Sequence, residues 1–598
     1  MKRHNFHIFA LFLCLGLAST WLYVASRPAT RLEQIAAWLR KYEPTPGVFT
    51  PGVSDRKFWE QTPELPPTTP RKGLPTDATA LVDIIIEGTN QECKYQTGQW
   101  IPVINDALRR VVELPWRELH MFKREFTDLH TTAKGAALAR TCYLLQDKLD
   151  PDVVSLTIDT IQNKVIDPFL ADSVAYQERT LVWGGDMCPW LEMKDNWTAV
   201  CVANIVYATL AIEPDIMVRA GVIAATEDPI KDYFTSFESD GYLSSGIRYW
   251  NYGFGHLMLL GERLFKATGG KINLFNDPNI LEMARFRDKW EIGRDGDNAY
   301  YPLFADNANP TSIRGNLLFL VSRRFGTSQT ETKKSVWNES APMTDLLLNP
   351  PVLYEKPTEY IEDVSLRTYF SSSGAMVARN KSDKVSLAIK GGTNSEEHNH
   401  NDIGAYTVFS GNMAVCGDVG VGAYSPALFG MGRYSYDIVS SFGHPLPVVD
   451  NRLQFNGVEA RAKVLKHTFT DEIDTITYDL RGAYGVSALK KLERTVSFSR
   501  GSQSVITVED SFEADYPIAF ETAIIAPRNA QLVGQAIYMF CGDQRFIVNI
   551  KSPERPAIRF VKMHMNDEPI MRFSIGLKQK QKSGSVKYTI SQDVYVGP

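Results

Sequence analysis

Residues 198–212 read TAVCVANIVYATLAI, a run that is apolar almost all round. A run with no polar face predicts a helix that is buried between neighbouring helices. Residues 132–149, 216–237 and 252–265 also carry apolar residues at helical spacing. Because these segments occur without a strand signal, the chain from about residue 77 to residue 325 is predicted to form stacked helical hairpins.

The character of the chain changes after Pro350 and Pro351. Short or alternating apolar runs follow, and Gly, Asn, Asp and Pro separate them, which is typical of an antiparallel β-sandwich. The sequence therefore predicts two packed domains, at 27–345 and 346–598, with a cleft between them. The apolar runs lie at 385–389, 406–409, 475–480, 495–498, 504–508, 520–525, 546–550, 558–561, 573–575 and 586–590.

The amino terminus has the pattern of a secretory signal. Basic residues at positions 2–4 precede an apolar run that extends to Ala25, so residues 1–26 are predicted to be a signal peptide. Residues 6–25 also approach the ~20 residues that span a bilayer, so an uncleaved anchor is the alternative. The mature chain is expected to be exported, to the periplasm or the medium, with no further membrane segment.

The composition excludes several classes of protein. The chain has 598 residues, of which 44% are apolar and 22% are charged, as in ordinary globular proteins. Its 64 basic and 69 acidic residues give a net charge of -5, which argues against a nucleic-acid partner. Six cysteines follow the signal with no C-x-x-C pair, so a zinc ribbon is excluded, while a disulfide remains open.

The chain has only ten histidines, and three of them fall between His398 and His444. Residues 396–402 read EEHNHND, Asp418 follows in VCGDVG, and the last histidine lies in SSFGHP. If the first motif is part of a strand, His398 and His400 point to the same face. Two imidazoles and one carboxylate can hold a zinc ion with an open fourth position. These residues therefore predict a functional site.

Two further motifs lie in the helical half. Residues 195–197 read DNW and open the apolar helix, where Asp or Asn can serve as a cap. A cap does not explain the tryptophans around it, so Asn196 is also a candidate site residue. Residues 240–253 read DGYLSSGIRYWNYG, in which Tyr249 is the main candidate. The candidate sugar-binding residues are Trp197, Arg248, Trp250, Tyr252 and Tyr434, although Trp250 and Tyr252 equally fit core packing.

The run from His398 to His444 resembles the heparinase II/III-like family of polysaccharide lyases. That family shows an H-x-H-N-D segment, a strand, a D-x-G and a serine-rich turn that ends in His. Residues 240–253 are similar to the family's D-G-x-x-x-E-G-x-x-Y-W-x-Y-G, with Ser245 at the position of the Glu. The resemblance implies an incomplete (α/α) toroid followed by an antiparallel β-sandwich.

The resemblance also implies roles for the site residues. Tyr249 corresponds to the catalytic tyrosine, Asn196 contacts the uronic-acid carboxylate, and His398 faces the substrate. The structural zinc ligands that it implies are His400, Asp418 and His444. The implied reaction is β-elimination of an anionic polysaccharide that contains uronic acid, with Tyr249 or His398 as the base and Tyr249 as the acid.

Two alternatives remain open from the sequence. One is a uronate lyase that acts on alginate or on chondroitin and hyaluronan in place of heparin. The other is a catalytically silent glycan-binding protein on the same scaffold. The mildly negative net charge favours carboxylated sugars over densely sulfated ones.

Overall fold

The structure is a computed structural model, and it describes most of the chain between residues 29 and 593. The described ranges are 29–46, 67–70, 73–116, 127–177, 188–295, 298–307, 365–422, 432–527, 529–552, 555–565 and 568–593, with 317, 320, 321, 324, 325 and 428. The predicted signal peptide and the predicted domain boundary near residue 345 lie outside these ranges. Within them, none of the helices combines the length and the hydropathy needed to cross a membrane.

The amino-terminal half is helical, as the apolar periodicity predicts. Its helices are α1 (Arg31–Tyr42), α2 (Ala78–Tyr95), α3 (Ile101–Glu113), α4 (Leu129–Leu145), α5 (Pro151–Ile161), α6 (Asp167–Gln177), α7 (Asn196–Ile212), α8 (Ile216–Phe234), the single turn α9 (Ile247–Tyr249), α10 (Gly255–Ala267) and α11 (Asn279–Trp290). A small hairpin, β1 (Gly293–Asp295) with β2 (Asn298–Tyr300), follows them.

Helix α7 is the centre of the helical half. Every one of its residues is buried, which confirms the prediction from its apolar sequence. It packs against α4, α8 and α10. Each Val, Ile or Leu buried in this way contributes about 1.5–3 kcal/mol relative to an exposed position. The Asp195 side chain caps the helix by accepting a hydrogen bond from the Trp197 amide, so the start of α7 is fixed in position.

The carboxy-terminal half is antiparallel β structure, also as predicted. Its strands are β3 (Arg367–Tyr369), β4 (Met376–Arg379), β5 (Val385–Ile389), β6 (Thr393–Asn394), β7 (Tyr406–Ser410), β8 (Met413–Gly417), β9 (Val448–Val449), β10 (Gly457–Arg461), β11 (Lys463–Phe469), β12 (Ile473–Asp479), β13 (Leu489–Ser499), β14 (Val505–Ile518), β15 (Phe520–Pro527), β16 (Gln531–Val533), β17 (Ala536–Cys541), β18 (Gln544–Ile550), β19 (Ala557–Met565), β20 (Glu568–Gly576) and β21 (Gln581–Gln592).

These strands form three large sheets. A 5-stranded sheet has the order β3-β4-β5-β7-β8, an 8-stranded sheet has the order β11-β12-β13-β14-β21-β18-β17-β16, and a 4-stranded sheet has the order β19-β20-β15-β9. Strands β6 and β10 pair separately. One hydrophobic core contains residues from all three sheets, such as Leu387, Phe498 and Phe573. Alternating burial along β13 shows that one face of the 8-stranded sheet contributes to this core.

A buried arginine ties this core to the loops above it. The Arg494 guanidinium donates two hydrogen bonds to the Asp510 carboxylate, at 2.7 and 2.8 Å. Its Nη1 also donates to the carbonyls of Gly404 and Pro445, at 2.8 and 2.6 Å. Those carbonyls lie beside the histidine motif and beside His444, so the β core fixes both loops relative to each other.

The two halves contact each other directly. The buried Arg379 guanidinium in β4 donates to the carbonyls of Lys289 and Glu291, at the end of α11. The Asp240 carboxylate accepts hydrogen bonds from the amide and hydroxyl of Ser372, at 3.0 and 2.8 Å. These contacts hold the loop after α8 against the β half, close to the candidate tyrosine.

The histidine motif is not part of a strand, and the strand that follows it, β7, begins at Tyr406, where the apolar run at 406–409 predicts it. His398 has φ of 57°, in the left-handed region that strands exclude. The polar Asn and Asp side chains around it favour a turn, because they bond nearby backbone and side-chain groups in place of a strand ladder. His398 and His400 therefore do not share a strand face.

The cysteines are buried in the structure and form no disulfide among the described residues. Cys201 and Cys416 are buried, as predicted. The other four after the signal are buried as well, and no disulfide joins any of the six in the described part of the chain.

Candidate active site

The helical half supplies Asn196, the first residue of α7. Its side chain is buried, and its Oδ1 lies 3.1 Å from Nε2 of His398 in the β half. Gly253 allows the chain after Tyr249 to pack closely against Asn196 at the start of α7. A Cβ atom at Gly253 would lie 2.7 Å from the Tyr233 hydroxyl and 2.9 Å from Cβ of Asn196, so a larger residue would force the two elements apart.

Tyr249 is held in place from both sides. It ends the single turn α9, and a π-helical turn, Trp250–Phe254, continues into α10. Before it, Gly246 has φ of 84°, and a Cβ atom there would collide with the Asn307 side chain. The Asn307 Oδ1 accepts a hydrogen bond from the Arg248 amide at 2.9 Å, and its Nδ2 donates to the Ser245 carbonyl at 3.0 Å. Its carbonyl accepts from Val421 in the β half.

The structure brings Asn196, Tyr249 and His398 together. The rings of Tyr249 and His398 stack, with centroids 3.6 Å apart and planes 11° apart. The His398 Nδ1 lies 3.3 Å from Oδ2 of Asp306, while its Nε2 faces Asn196. These three residues come from distant parts of the sequence, and they are the three for which the family resemblance implies catalytic roles.

Asp306 is the residue that sequence reasoning missed. Its carboxylate is fully buried and contacts His398 through Oδ2, while Oδ1 accepts from Nε2 of His400 at 3.0 Å and from Nη2 of Arg433 at 2.6 Å. Burial raises the pKa of this carboxyl, but the surrounding donors outweigh burial and hold its pKa well below the usual range. In the sequence, the segment DNAN at 306–309 indicates only a turn.

The candidate sugar-binding residues do not reach the cavity beside Asn196 and Tyr249, as far as the described residues define it. Trp250 is fully buried, and its Nε1 donates to the Met283 carbonyl at 2.7 Å, so its role is core packing. Trp197 is buried in the helical core, and Tyr252 is half-buried against His256. Arg248 is exposed, and the Tyr434 hydroxyl accepts from Nδ2 of Asn399.

A buried cluster of potential metal ligands lies behind His398. One ligand atom from each of His400, Asp402 and His444 lies within 4.8 Å of the others. Asp418 is close to the cluster, since its Oδ2 is 2.9 Å from Nδ1 of His444, and its Oδ1 accepts from the Gly420 amide. The group that the geometry defines contains Asp402 in place of the expected Asp418. The sequence shows Asp402 two residues after His400, within the same motif.

The histidine protonation state suits a ligand role. The Asp306 carboxylate accepts from Nε2 of His400, which leaves the lone pair on Nδ1 available. Burial lowers the pKa of His400, so the neutral form is favoured at pH 7. On the other side of the cluster, the buried Lys390 ammonium donates to Oδ1 of Asp402 at 2.5 Å.

A cavity of about 270 Å³ opens beside Asn196 and Tyr249. Three carboxyl groups line this cavity. The pKa of one of them, Asp195, is raised to about 6, mainly by burial and secondly by the negative charge of Glu397. The lining residues are Lys194, Asp195, Asn196, Tyr233, Thr235, Ser236, Leu243, Ser244, Ser245, Tyr249, Ser395, Glu396 and Glu397.

A helical half followed by antiparallel sheets is also the fold of solved heparinase-like polysaccharide lyases. The chain is similar to a heparinase III, the BT4657 gene product with methylated lysines, with a TM-score of 0.58 and 11% identity over 94% of this chain and 84% of that chain. It is also similar to the heparan sulfate lyase HepC of Pedobacter heparinus, with a TM-score of 0.52 and 14% identity over 86% of this chain and 74% of that one. A mutant of HepC gives a TM-score of 0.51 and 12% identity, over 95% of this chain and 85% of that chain.

These similarities establish a fold in which a helical amino-terminal part is followed by antiparallel sheets, as in the heparinase-like lyases. No family model matches the chain, and no curated protein matches it either. A shared fold can host different activities, so the function has to be argued from the site.

Proposed function

We propose that this protein is a polysaccharide lyase that cleaves a uronic-acid-containing polysaccharide by β-elimination. The observation that carries the proposal is the convergence of Asn196, Tyr249 and His398 beside a cavity. The heparinase III and heparan sulfate lyase folds support it. Under this proposal the helices form an incomplete (α/α) toroid, and the sheets form a β-sandwich.

Asn196 neutralises the uronate carboxylate in the proposed reaction. Its Oδ1 faces His398, so its Nδ2 group is left to donate to a carboxylate oxygen. As the C5 proton leaves, negative charge develops on that carboxylate, and a fixed amide donor stabilises it. The buried start of α7 holds the amide in place before the substrate binds.

Tyr249 transfers the proton. Both ring nitrogens of His398 face other groups, Asp306 and Asn196, which favours Tyr249 over His398 as the base. The phenolate takes the C5 proton, the C4=C5 double bond forms, and the C4–O bond breaks. The new phenol then gives its proton to the leaving glycosidic oxygen, so Tyr249 ends the cycle as it began.

We also propose that a structural zinc ion binds at His400, Asp402 and His444. The fit rests on buried atoms: Nδ1 of His400, Oδ2 of Asp402 and Nε2 of His444 make no hydrogen bond within the described residues. Nitrogen and carboxylate ligands suit zinc. When bound, the metal would cross-link the histidine turn to the loop before His444. Asp418, the ligand implied by the resemblance, would orient His444.

His444→Ala is expected to remove the metal and to lower the melting temperature. Metal analysis of the purified wild-type protein should give about one zinc per chain. The variant should contain almost none, because one of three ligands is lost from a buried site. His467→Ala, in exposed strand β11, is the matched control and should retain the metal. A zinc-free wild-type protein would remove this part of the proposal.

The lyase activity is tested with a panel of uronic-acid polysaccharides. The purified protein is incubated with heparan sulfate, chondroitin, hyaluronan and alginate, and the ultraviolet absorbance of the unsaturated product is followed. A rise in absorbance on at least one polymer is expected. Binding without any product would contradict the proposal and would favour the catalytically silent glycan-binding protein.

The proposed substrate also agrees with export of the chain. An anionic polysaccharide is met in the periplasm or outside the cell, and residues 1–26 carry the pattern of a signal that directs a chain there.

A further inference from the structure

Buried amide side chains lie beneath the turn that contains His398. Asn394, Asn399, Asn401 and Gln454 are each at most 4% exposed. A buried amide lowers stability unless its donors and acceptors are bonded, so a group of four is tolerated only where hydrogen bonds fix them in one arrangement. These four residues are called the amide network below, and their bonds show what they hold.

Gln454 joins the members of this network. It lies between β9 and β10, outside the three motifs of the sequence. Its side-chain Nε2 donates to the Ile403 carbonyl at 2.9 Å, and its Oε1 accepts from Nδ2 of Asn394 at 3.0 Å. Its backbone carbonyl accepts from Nδ2 of Asn401 at 3.2 Å, and its amide donates to Oγ of Ser441 at 2.9 Å. One residue therefore bonds β6, the histidine motif, the chain after that motif and the serine-rich turn.

Hydrogen bonds lead from Gln454 to the turn of His398. The Asn401 side chain, which donates to the Gln454 carbonyl, accepts from Nδ2 of Asn399 at 3.3 Å, and Asn399 directly follows His398. His398 has φ of 57°, a conformation that is unfavourable for a residue with a Cβ atom and persists where the surroundings hold it. The amide network supplies part of that support.

Gln454 is itself held by the β half. The next residue, Phe455, donates its amide to the Ala483 carbonyl at 3.1 Å, and Ala483 belongs to the hydrophobic core of the sheets. The Phe455 carbonyl also accepts from Nδ2 of Asn394 at 3.0 Å. The sheets therefore fix the position of Gln454, and the amide network relates the turn of His398 to that fixed point.

We propose that Gln454 is a positioning residue for the lyase reaction, which places His398 against Asn196 and Tyr249 through the amide network. The inference rests on the proposed lyase function. His398 Nε2 lies 3.1 Å from Oδ1 of Asn196, and its ring stacks on Tyr249 at 3.6 Å, so a shift of the turn by about 1 Å would weaken both contacts. Gln454 does not belong to the described lining of the cavity, so it acts through His398 and not on the sugar itself.

Gln454→Met tests this role. Methionine keeps the length of the side chain and removes its bonds to Asn394 and Ile403, while the backbone bonds of residue 454 remain. We expect kcat to fall about tenfold and KM to stay within about twofold of the wild type, on whichever polymer the wild-type protein cleaves and at a temperature where the variant is fully folded. A lower melting temperature with unchanged kcat would mean a purely structural role and would overturn the inference.

Gln544→Met provides the control. Gln544, in β18, also bonds within the β half, where its Oε1 accepts from the hydroxyl of Ser410 at the last residue of β7. The same substitution there should lower the melting temperature and leave both kcat and KM unchanged. An equal fall in kcat in the two variants would show that general loosening of the β half is the cause, and it would overturn the positioning role.

Failure of the lyase proposal would be seen separately. If the wild-type protein yields no unsaturated product from any polymer, crystal structures of the wild type and of Gln454→Met decide the question. A displacement of the His398 ring from Asn196 by about 1 Å or more in the variant would support the positioning role without the lyase reaction. An unchanged ring would overturn it.

Discussion

Tyr249→Phe is expected to reduce kcat by roughly 10²–10⁴-fold, the usual contribution of a positioned acid or base. The phenol is proposed both to take the C5 proton and to protonate the leaving oxygen, so its loss removes both transfers. The ring is retained, and with it the stacking on His398 at 3.6 Å, so the fold and the substrate affinity should change little. The measurement is the initial rate of product absorbance on whichever polymer the wild-type protein cleaves.

Tyr436→Phe is the control for this experiment. Tyr436 is 39% exposed on the loop before His444, so removal of its hydroxyl should leave kcat unchanged. Circular dichroism and the melting temperature should match the wild type for both variants. If Tyr249→Phe retained wild-type turnover, the proton transfer would have to be reassigned to another group, and His398 would be the first to consider.

Asp306→Asn is expected to have the second large effect. The substitution preserves shape but removes the charge that His398, His400 and Arg433 share. Arg433, whose side chain is 13% exposed, would lose its carboxylate partner. Removing one partner of such a buried pair costs about 3–5 kcal/mol. We therefore expect a clear fall in melting temperature, measured by calorimetry.

The same variant also has a kinetic signature. Asp306 positions His398, so its loss should lower kcat by about 100-fold at a temperature where the variant is fully folded. KM should change much less, because Asp306 does not line the cavity. Asp471→Asn, on an exposed turn, is the control for both measurements. A lower melting temperature with unchanged kcat would limit Asp306 to a role in stability.

Local patterns were sufficient to predict most of the secondary structure. Helix α7 and strand β5 lie where the apolar runs at 198–212 and 385–389 place them, because periodicity and burial act over neighbouring residues. The shared strand face that was considered for His398 and His400 does not occur, because the histidine motif lies outside any strand and His398 has a positive φ. His398 also contacts Asp306 and Asn196, which are distant in the sequence, so no local pattern shows these contacts.

The site could be predicted only in part. The motifs predict Asn196, Tyr249 and His398 as site residues, and in the structure His398 contacts both of the others. Asp306 was missed because its partners lie 92 and more residues further along the chain, and an Asp before an Asn reads as a turn. For Trp250 the sequence left sugar binding and core packing equally open, and the structure shows its indole packed in the core.

The turn at Asp306 and Asn307 has a consequence for recombination of such chains. By position this turn belongs to the helical half, yet the Asp306 carboxylate accepts a hydrogen bond from His400 of the β half. Asn307 accepts hydrogen bonds from the amides of both Arg248 and Val421. A chimera that exchanges only the β half with a relative would separate His398 and His400 from the carboxylate that they contact. Crossover points before residue 301, which transfer the turn together with the sheets, would instead cut its bonds to the Tyr249 loop. We therefore expect such chimeras to fold poorly whichever side of the turn the crossover lies on.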